Sequence, residues 1–315
     1  MDVSIIIPAR NEEAHLGQLL ESIAKLKYPA DALEVIVVDH SSTDDTPGVA
    51  ARYGARVLVK QGGTISSVRN YGARAARGKV IAFVDADCTV APDWATCAVM
   101  HFQDPSVGAV GSYHLMPDAP ATWVRKVLQR QAMARPRMEQ ATWLPSGNMF
   151  VGKAVYDACG GFDESLTTCE DVDISYRISR RYRVIADDRI RCWHHGEPIG
   201  IRDMFRKELW RGRDNFSGAF RHGFRVSELP SLFLPTYMVL AVLGFLGAVI
   251  GALLGNMVVW LVLVAVLAFL IPLAAVAVVL SVRSGDITYA GHFAAFYAVY
   301  LIARGLAPLY HWRNF

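Results

Sequence analysis

An α/β domain with a mainly parallel sheet, followed by an all-α membrane region, is the fold class that three features of this 315-residue sequence predict. Over the first hundred residues, short apolar runs alternate with helical patterns, which argues for parallel strands joined by crossover helices. One run, Val80-Ile81-Ala82-Phe83-Val84, ends in the acids of Asp85-Ala86-Asp87. Residues 229–282 contain no Asp, Glu, Lys or Arg over 54 positions.

The strand-like runs are Val3–Ile7, Leu33–Asp39, Ala55–Val59 and Lys79–Asp85, with helical patterns at Glu13–Leu26, Asp45–Tyr53 and Thr64–Ala76 between them. Runs this apolar read as strands buried on both faces. Beyond Asp87 the pattern predicts a helix near Pro92–Phe102, a strand at Val107–Tyr113 and a helix at Val172–Arg181. The basic segment Trp123–Arg137 reads first as a solvated helix face, and otherwise as a contact for the membrane surface or an anionic acceptor.

A membrane span needs about 20 apolar residues, so the charge-free stretch holds two helices joined by a tight turn, best placed at Gly255-Asn256. Neither half shows the polar face of a soluble amphipathic helix. Ile287–Leu309 is a third candidate, uncharged for 17 residues up to Ala303 and then carrying Arg304; it reads as a third span with Arg304 facing a partner helix, or else as a segment lying in the interface. The predicted division is 1–198 for the catalytic domain, 199–230 for a basic amphipathic interfacial segment and 231–315 for the membrane region, with spans near 231–254, 257–281 and 288–309. The interfacial reading rests on Met204, Phe205, Leu209, Trp210, Phe216, Phe220 and Phe224 among basic residues.

Met1-Asp2 passes directly into a strand-like run, without a basic n-region or a cleavage site, so the front domain is expected in the cytoplasm. Arg206, Lys207, Arg211, Arg213, Arg221 and Arg225 just before the first span agree with that orientation. A net charge of +3 argues against nucleic acid, and the local basic character suits anionic lipid. The five cysteines, Cys88, Cys97, Cys159, Cys169 and Cys192, show no C-x-x-C spacing and no compact metal set, and read as reduced thiols.

In open α/β sheets, ligands gather beyond the carboxyl ends of the strands. Three polar loops meet that rim: Pro8-Ala9-Arg10-Asn11-Glu12, Asp39-His40-Ser41-Ser42-Thr43-Asp44-Asp45 and Asp85-Ala86-Asp87. Taken singly, Asp39 suits a local cap and Asp85-Ala86-Asp87 an N-cap pair. Together they predict a pocket, and two hard oxygen donors there suit Mg²⁺ or Mn²⁺ carrying a diphosphate. Glu170-Asp171 alone reads as an acidic helix start favoured by the macrodipole.

With Arg69-Asn70-Tyr71-Gly72-Ala73, Gly160-Gly161-Phe162-Asp163-Glu164 and Glu170-Asp171 added in order, residues 3–196 resemble the family 2 glycosyltransferases, whose GT-A nucleotide-sugar fold is Rossmann-like. The resemblance implies that Pro8, Arg10 and Glu12 line the nucleoside site and that Asp39 accepts a hydrogen bond from the base, typically uracil. It places Arg69 near the diphosphate and Asp85 and Ala86 by the ribose and the metal, with Asp87 ligating the metal. Asp171 would be the catalytic base, supported by Glu170, and His194 or His195 would complete the metal site. Gly147 and Asn148 are expected on the acceptor side, although a plain turn serves equally.

His40 stands where many relatives carry a second acid, and Cys169 where Thr is frequent. The Gln-x-x-Arg-Trp signature of processive synthases is absent, Lys207-Glu208-Leu209-Trp210-Arg211 being a loose echo. The resemblance therefore implies an inverting transferase of single sugars in the cytoplasmic membrane. It would take a nucleotide-diphosphate sugar, with a UDP-sugar expected, and a lipid-linked or glycan acceptor. Transfer to polyprenyl phosphate is the rival within the enzyme class; a non-catalytic nucleotide-binding scaffold or transport component is the rival outside it.

Overall fold

The computed structural model describes residues 2–118, 121–213, 229–254 and 260–310. The described chain divides into two compact units, Met1–Pro117 with Arg135–Glu197, and Asp118–Ala134 with Pro198–Phe315.

In the first unit the strands are β1 (Val3–Ala9), β2 (Leu33–Asp39), β3 (Arg56–Val59), β4 (Val80–Val84), β5 (Cys88–Val90), β6 (Val107–Gly111), β7 (Met138–Gln140), β8 (Asn148–Gly152), β9 (Arg183–Asp187) and β10 (Cys192–His194). Eight of them form one sheet in the order β3-β2-β1-β4-β8-β6-β9-β7. The half from β3 to β4 is parallel, and β8 enters antiparallel to both β4 and β6. β5 and β10 make a separate antiparallel pair just beyond Asp87. Helices α1 (Glu13–Ala24), α2 (Thr46–Arg52), α3 (Ile65–Ala75) and α4 (Trp94–Val99) follow the early strands. Two apolar layers result, one on each face of the sheet. Leu16, Leu19 and Trp94 pack with Ile5 and Val84 on one side, and Val68, Phe83, Phe162 and Ile174 pack on the other. Every residue of β1 and β4 is buried, as expected of strands covered on both faces.

Most boundaries fall within two residues of expectation, and the differences have local causes. β1 runs on to Ala9 because Pro8 and Ala9 keep pairing with Val38 and Asp39. The helix expected over Pro92–Phe102 is α4 followed by a 3-10 turn, Met100–Gln103. The strand expected to reach Tyr113 stops at Gly111, because the chain then turns to lie along β10, where Leu115 N–H donates to Cys192 O at 2.8 Å.

The second unit holds α5 (Trp123–Met133), α8 (Ile201–Arg211), α9 (Leu229–Leu253), α10 (Trp260–Ser284) and α11 (Ala290–Leu306), while α6 (Lys153–Ala158) and α7 (Glu170–Ser179) belong to the first. Leu229–Leu253, Trp260–Ser284 and Ile287–Leu309 are long and apolar enough to cross a membrane. The solvated face expected of Trp123–Arg137 is corrected in part. Val124 and Val127 of α5 are fully buried against Phe293, Phe296 and Met204, and Arg130 pairs with Asp286 at 2.7 Å and lies over the Tyr289 ring. In the basic segment, Met204 and Leu209 of α8 are buried. Arg304 meets Glu208 of α8 at 2.9 Å, and Arg211 closes on the same carboxylate at 3.0 Å. The expected turn at Gly255-Asn256, together with Phe216, Phe220, Arg221, Phe224 and Arg225, lies outside the described residues.

Removing one partner of a buried ion pair is costly, but Arg211 would still pair with Glu208, so the cost falls below the value of about 3–5 kcal/mol for a charge left wholly unpaired. Arg304→Leu is therefore expected to lower the thermal midpoint of the detergent-solubilised protein. The double change Arg304→Leu/Glu208→Gln should recover part of the loss, which differential scanning fluorimetry would read.

Candidate active site

The rim of the sheet is built from the ends of β1, β2 and β4. The first two loops are laced together. Asn11 N–H donates to Ser42 Oγ at 2.9 Å, Thr43 N–H donates to Asn11 Oδ1 at 2.8 Å, and Glu12 N–H donates to Thr46 Oγ1 at 2.8 Å. Asn11 and Ser41 both sit at φ 56°, in left-handed backbone that side chains other than glycine rarely adopt. Such strain persists only where the surroundings enforce it, and it gathers at binding sites. Asp39 is 3% exposed; its Oδ2 accepts from Ser42 N–H at 3.2 Å, while Oδ1 is buried with no hydrogen-bond partner among the described residues. Burial, then the nearby Arg10, holds the His40 imidazole below its usual pKa, so this ring is neutral at pH 7. Burial likewise raises Glu12, opposed by His15 and reinforced by Asp85. Pro8 is buried inside β1, and Arg10 is exposed just past its end.

At the centre lies Arg69 on α3, 3% exposed. One guanidinium nitrogen donates to Asp85 Oδ1 at 2.7 Å and another to Glu170 Oε1 at 2.9 Å. The chain needs this geometry, since each buried charge is tolerable only when paired. Burial works against ionisation of Asp85, but Arg69 first, then His194 and His114, overcome it and hold the carboxyl below its usual range. Glu170 opens α7 and also accepts from Ser146 Oγ at 3.2 Å. Cys169 before it lies at φ 63°, turning the chain so that α7 begins with Glu170 and Asp171. Asp171 is close enough for its charge to act on Arg69. Asn70 fixes the next motif, donating to Phe162 O at 2.9 Å and accepting from Phe162 N–H at 3.0 Å.

Beside Asp85, the Asp87 carboxylate lies 3.5 Å from His194 Nε2. His195 differs, its Nε2 meeting Thr89 Oγ1 at 3.0 Å. Two glycines make room for the carboxylates. A Cβ at Gly147 would collide with Asp85 Oδ2, and one at Gly196 would collide with Asp87 Oδ2. Ala86 is buried between the two acids.

Asn148 is a correction. It was expected with Gly147 on the acceptor side, but its side chain is fully buried. Its Oδ1 accepts from Trp94 Nε1 at 2.7 Å, and its Nδ2 donates to Ser112 Oγ at 2.8 Å and to Ile190 O at 3.0 Å. No polar atom remains for a ligand, so this side chain ties the sheet together. Conversely, His114 and Gly196 lie beside these carboxylates although no sequence motif marks them, and Ser146, which directly precedes Gly147-Asn148, reaches Glu170. The doublet His194-His195 next to Gly196 was the nearest signal.

Residues 4–158 match the family model described as glycosyl transferase family 2. The chain carries a family 2 glycosyltransferase domain. The beta-monoglucosyldiacylglycerol synthase of Nostoc is 31% identical over 191 residues, covering 56% of this chain and 41% of that protein. A pre-mycofactocin glycosyltransferase of Mycobacterium tuberculosis is 26% identical over 242 residues, covering 72% of this chain and 50% of that protein. The chain thus spans half or less of these relatives' lengths. Among solved structures, the mannosyltransferase PcManGT from Pyrobaculum calidifontis, in complex with GDP-Man and Mn²⁺, aligns over 98% of this chain and 87% of that one, with TM-score 0.63 and 22% identity. S. aureus TarS 1-349 in complex with UDP-GlcNAc aligns over 98% and 91%, with TM-score 0.53 and 17% identity. These likenesses establish the GT-A fold of the family 2 domain.

Two outcomes follow from this geometry. Because its folded pKa is depressed, Asp85 stabilises the fold above its unfolded value, near 3.9, and that contribution is lost as pH falls through the folded value. Acid unfolding of the wild type should therefore be steeper below about pH 4 than that of Asp85→Asn. Asn148→Ala strands the Trp94 and Ser112 partners, so chemical denaturation should show a loss of about 1–3 kcal/mol or more.

Proposed function

We propose that this protein is a membrane-anchored, metal-dependent inverting transferase of single hexoses, with Asp171 as the base and a nucleotide-diphosphate sugar as the donor. The observation that carries the reading is the Arg69 clamp. One buried guanidinium grips Asp85 with one nitrogen and Glu170 with another, so the acids of the donor side and those of the base side share one cation.

The chemistry assigns each group a task. Asp39 Oδ1, without a hydrogen-bond partner among the described residues, is a buried acceptor suited to an N–H of a pyrimidine base, and a UDP-sugar is therefore the expected donor. The Asp85 and Asp87 carboxylates with the His194 imidazole make a donor set that suits Mg²⁺ or Mn²⁺. Gly147 and Gly196 keep Cβ atoms away from those carboxylates, so the residues fit such an ion. Asp87 and His194 would hold it with Asp85 beside them, and when bound it would stabilise charge on the leaving diphosphate as a Lewis acid. Inversion requires a carboxylate on the face opposite the leaving group to take the acceptor hydroxyl proton during attack. Asp171 takes that proton, while Glu170, held by Arg69 and Ser146, fixes the start of α7.

The acceptor is a lipid-linked glycan or a glycolipid at the cytoplasmic membrane face. The Nostoc relative, named for synthesis of a glucosyldiacylglycerol, supports this, as do the three candidate spans. The Mn²⁺ of the mannosyltransferase complex supports a divalent ion. Tethering the domain to a multi-pass membrane region raises the effective concentration of a lipid acceptor. The basic residues before the first span favour a cytoplasmic catalytic domain.

Purified protein is expected to hydrolyse one of the UDP-, GDP- or dTDP-sugars, and to do so only with added divalent metal. Asp171→Asn should lower transfer by at least about a hundredfold with nucleotide binding retained, as measured by calorimetry. Full transfer by Asp171→Asn would remove it from the role of base.

A further inference from the structure

Directly beyond Asp87 the antiparallel pair β5–β10 sets Cys88 opposite His194, with Cys192 two residues along on the same face. The turn after β6 runs beside β10, through Leu115 N–H to Cys192 O at 2.8 Å and His194 N–H to Leu115 O at 3.1 Å, and so brings His114 to the same spot. Among the described residues, His114 Nε2 is buried there with no hydrogen-bond partner. One ligand atom each from Cys88, His114 and Cys192 lies within 4.8 Å of the others.

We propose that Cys88, His114 and Cys192 form a site for a thiophilic divalent cation such as Zn²⁺, separate from the oxygen-rich set at Asp85 and Asp87. Two sulfurs and an imidazole select Zn²⁺ over Mg²⁺ or Mn²⁺, which prefer oxygen. Tetrahedral Zn²⁺ with bonds of about 2.0–2.3 Å holds its ligands about 3.5–3.8 Å apart, so the present spacing needs a contraction of at most about 1.3 Å. Cys88 also lies within 4.8 Å of Asp87 and His194, so the two sets adjoin; His194 stays with Asp87, and a water would complete the tetrahedron. His114 is part-exposed as a residue, whereas both cysteines are buried. The alternative is that the two thiols are ordinary small core residues; that reading leaves the gathering of three soft ligands from three separate segments as coincidence. The inference does not depend on the proposed transferase activity.

The test uses the full-length protein in detergent, reduced, stripped with chelator and titrated with Co²⁺. The expected result is a thiolate-to-Co²⁺ charge-transfer band saturating at one equivalent, displaced by Zn²⁺ and unaffected by excess Mg²⁺. Cys88→Ser and Cys192→Ser should each weaken binding by more than about tenfold, whereas Asp87→Asn should keep the band. X-ray absorption of the Zn²⁺-loaded wild type, which depends on no variant, should show two sulfur neighbours. Absence of the band, its persistence in the Cys88→Ser/Cys192→Ser protein, or a zinc shell without sulfur would overturn the site.

Discussion

A single buried guanidinium governs this catalytic domain. Arg69 reaches the rim from α3, and burial would be prohibitive without its two carboxylate partners, Asp85 at the end of β4 and Glu170 at the start of α7. In return, the buried Glu170 and the part-buried Asp85 each depend on the arginine as a charge partner. Three segments far apart in sequence are thereby fixed at one point. Asp87 and Asp171, the neighbours of those partners, inherit their positions from the clamp.

The rest of the rim is held by backbone rather than charge. Asn11, Ser41 and Cys169 each occupy left-handed conformations, and each stands where a strand or loop must turn sharply to present polar groups. The strain at Asn11 and Ser41 is sustained by their mutual network, in which each loop's amides find acceptors on the other. Glycine does similar work at 147 and 196, where the carboxylates of Asp85 and Asp87 fill the space that a side chain would need.

The parallel half of the sheet was legible in the sequence, because β1, β2 and β4 are continuous apolar runs that end in turn chemistry. The first two apolar helices were equally plain, since 54 uncharged residues admit few other readings. Long-range pairing was what the pattern left hidden. Asn148 sits in a Ser-Gly-Asn stretch that reads as a loop, yet its partners Trp94, Ser112 and Ile190 come from three other segments and make it core. The basic run around Arg130 looked solvated until Asp286 and Tyr289, more than 150 residues on, supplied its partners. The gathering of Cys88, His114 and Cys192 was invisible for the same reason, because no local spacing encodes a contact made by chain crossing.

A double-mutant cycle between Asp85 and Glu170 tests the clamp most directly, since both acids bind Arg69. Stability would be measured for the wild type, Asp85→Asn, Glu170→Gln and the double variant. Coupling through the shared guanidinium predicts losses that fail to add by about 0.5–3 kcal/mol. Additive losses within about 0.3–0.5 kcal/mol would mean that the two acids are independent, and that Arg69 does not join the two sides of the site.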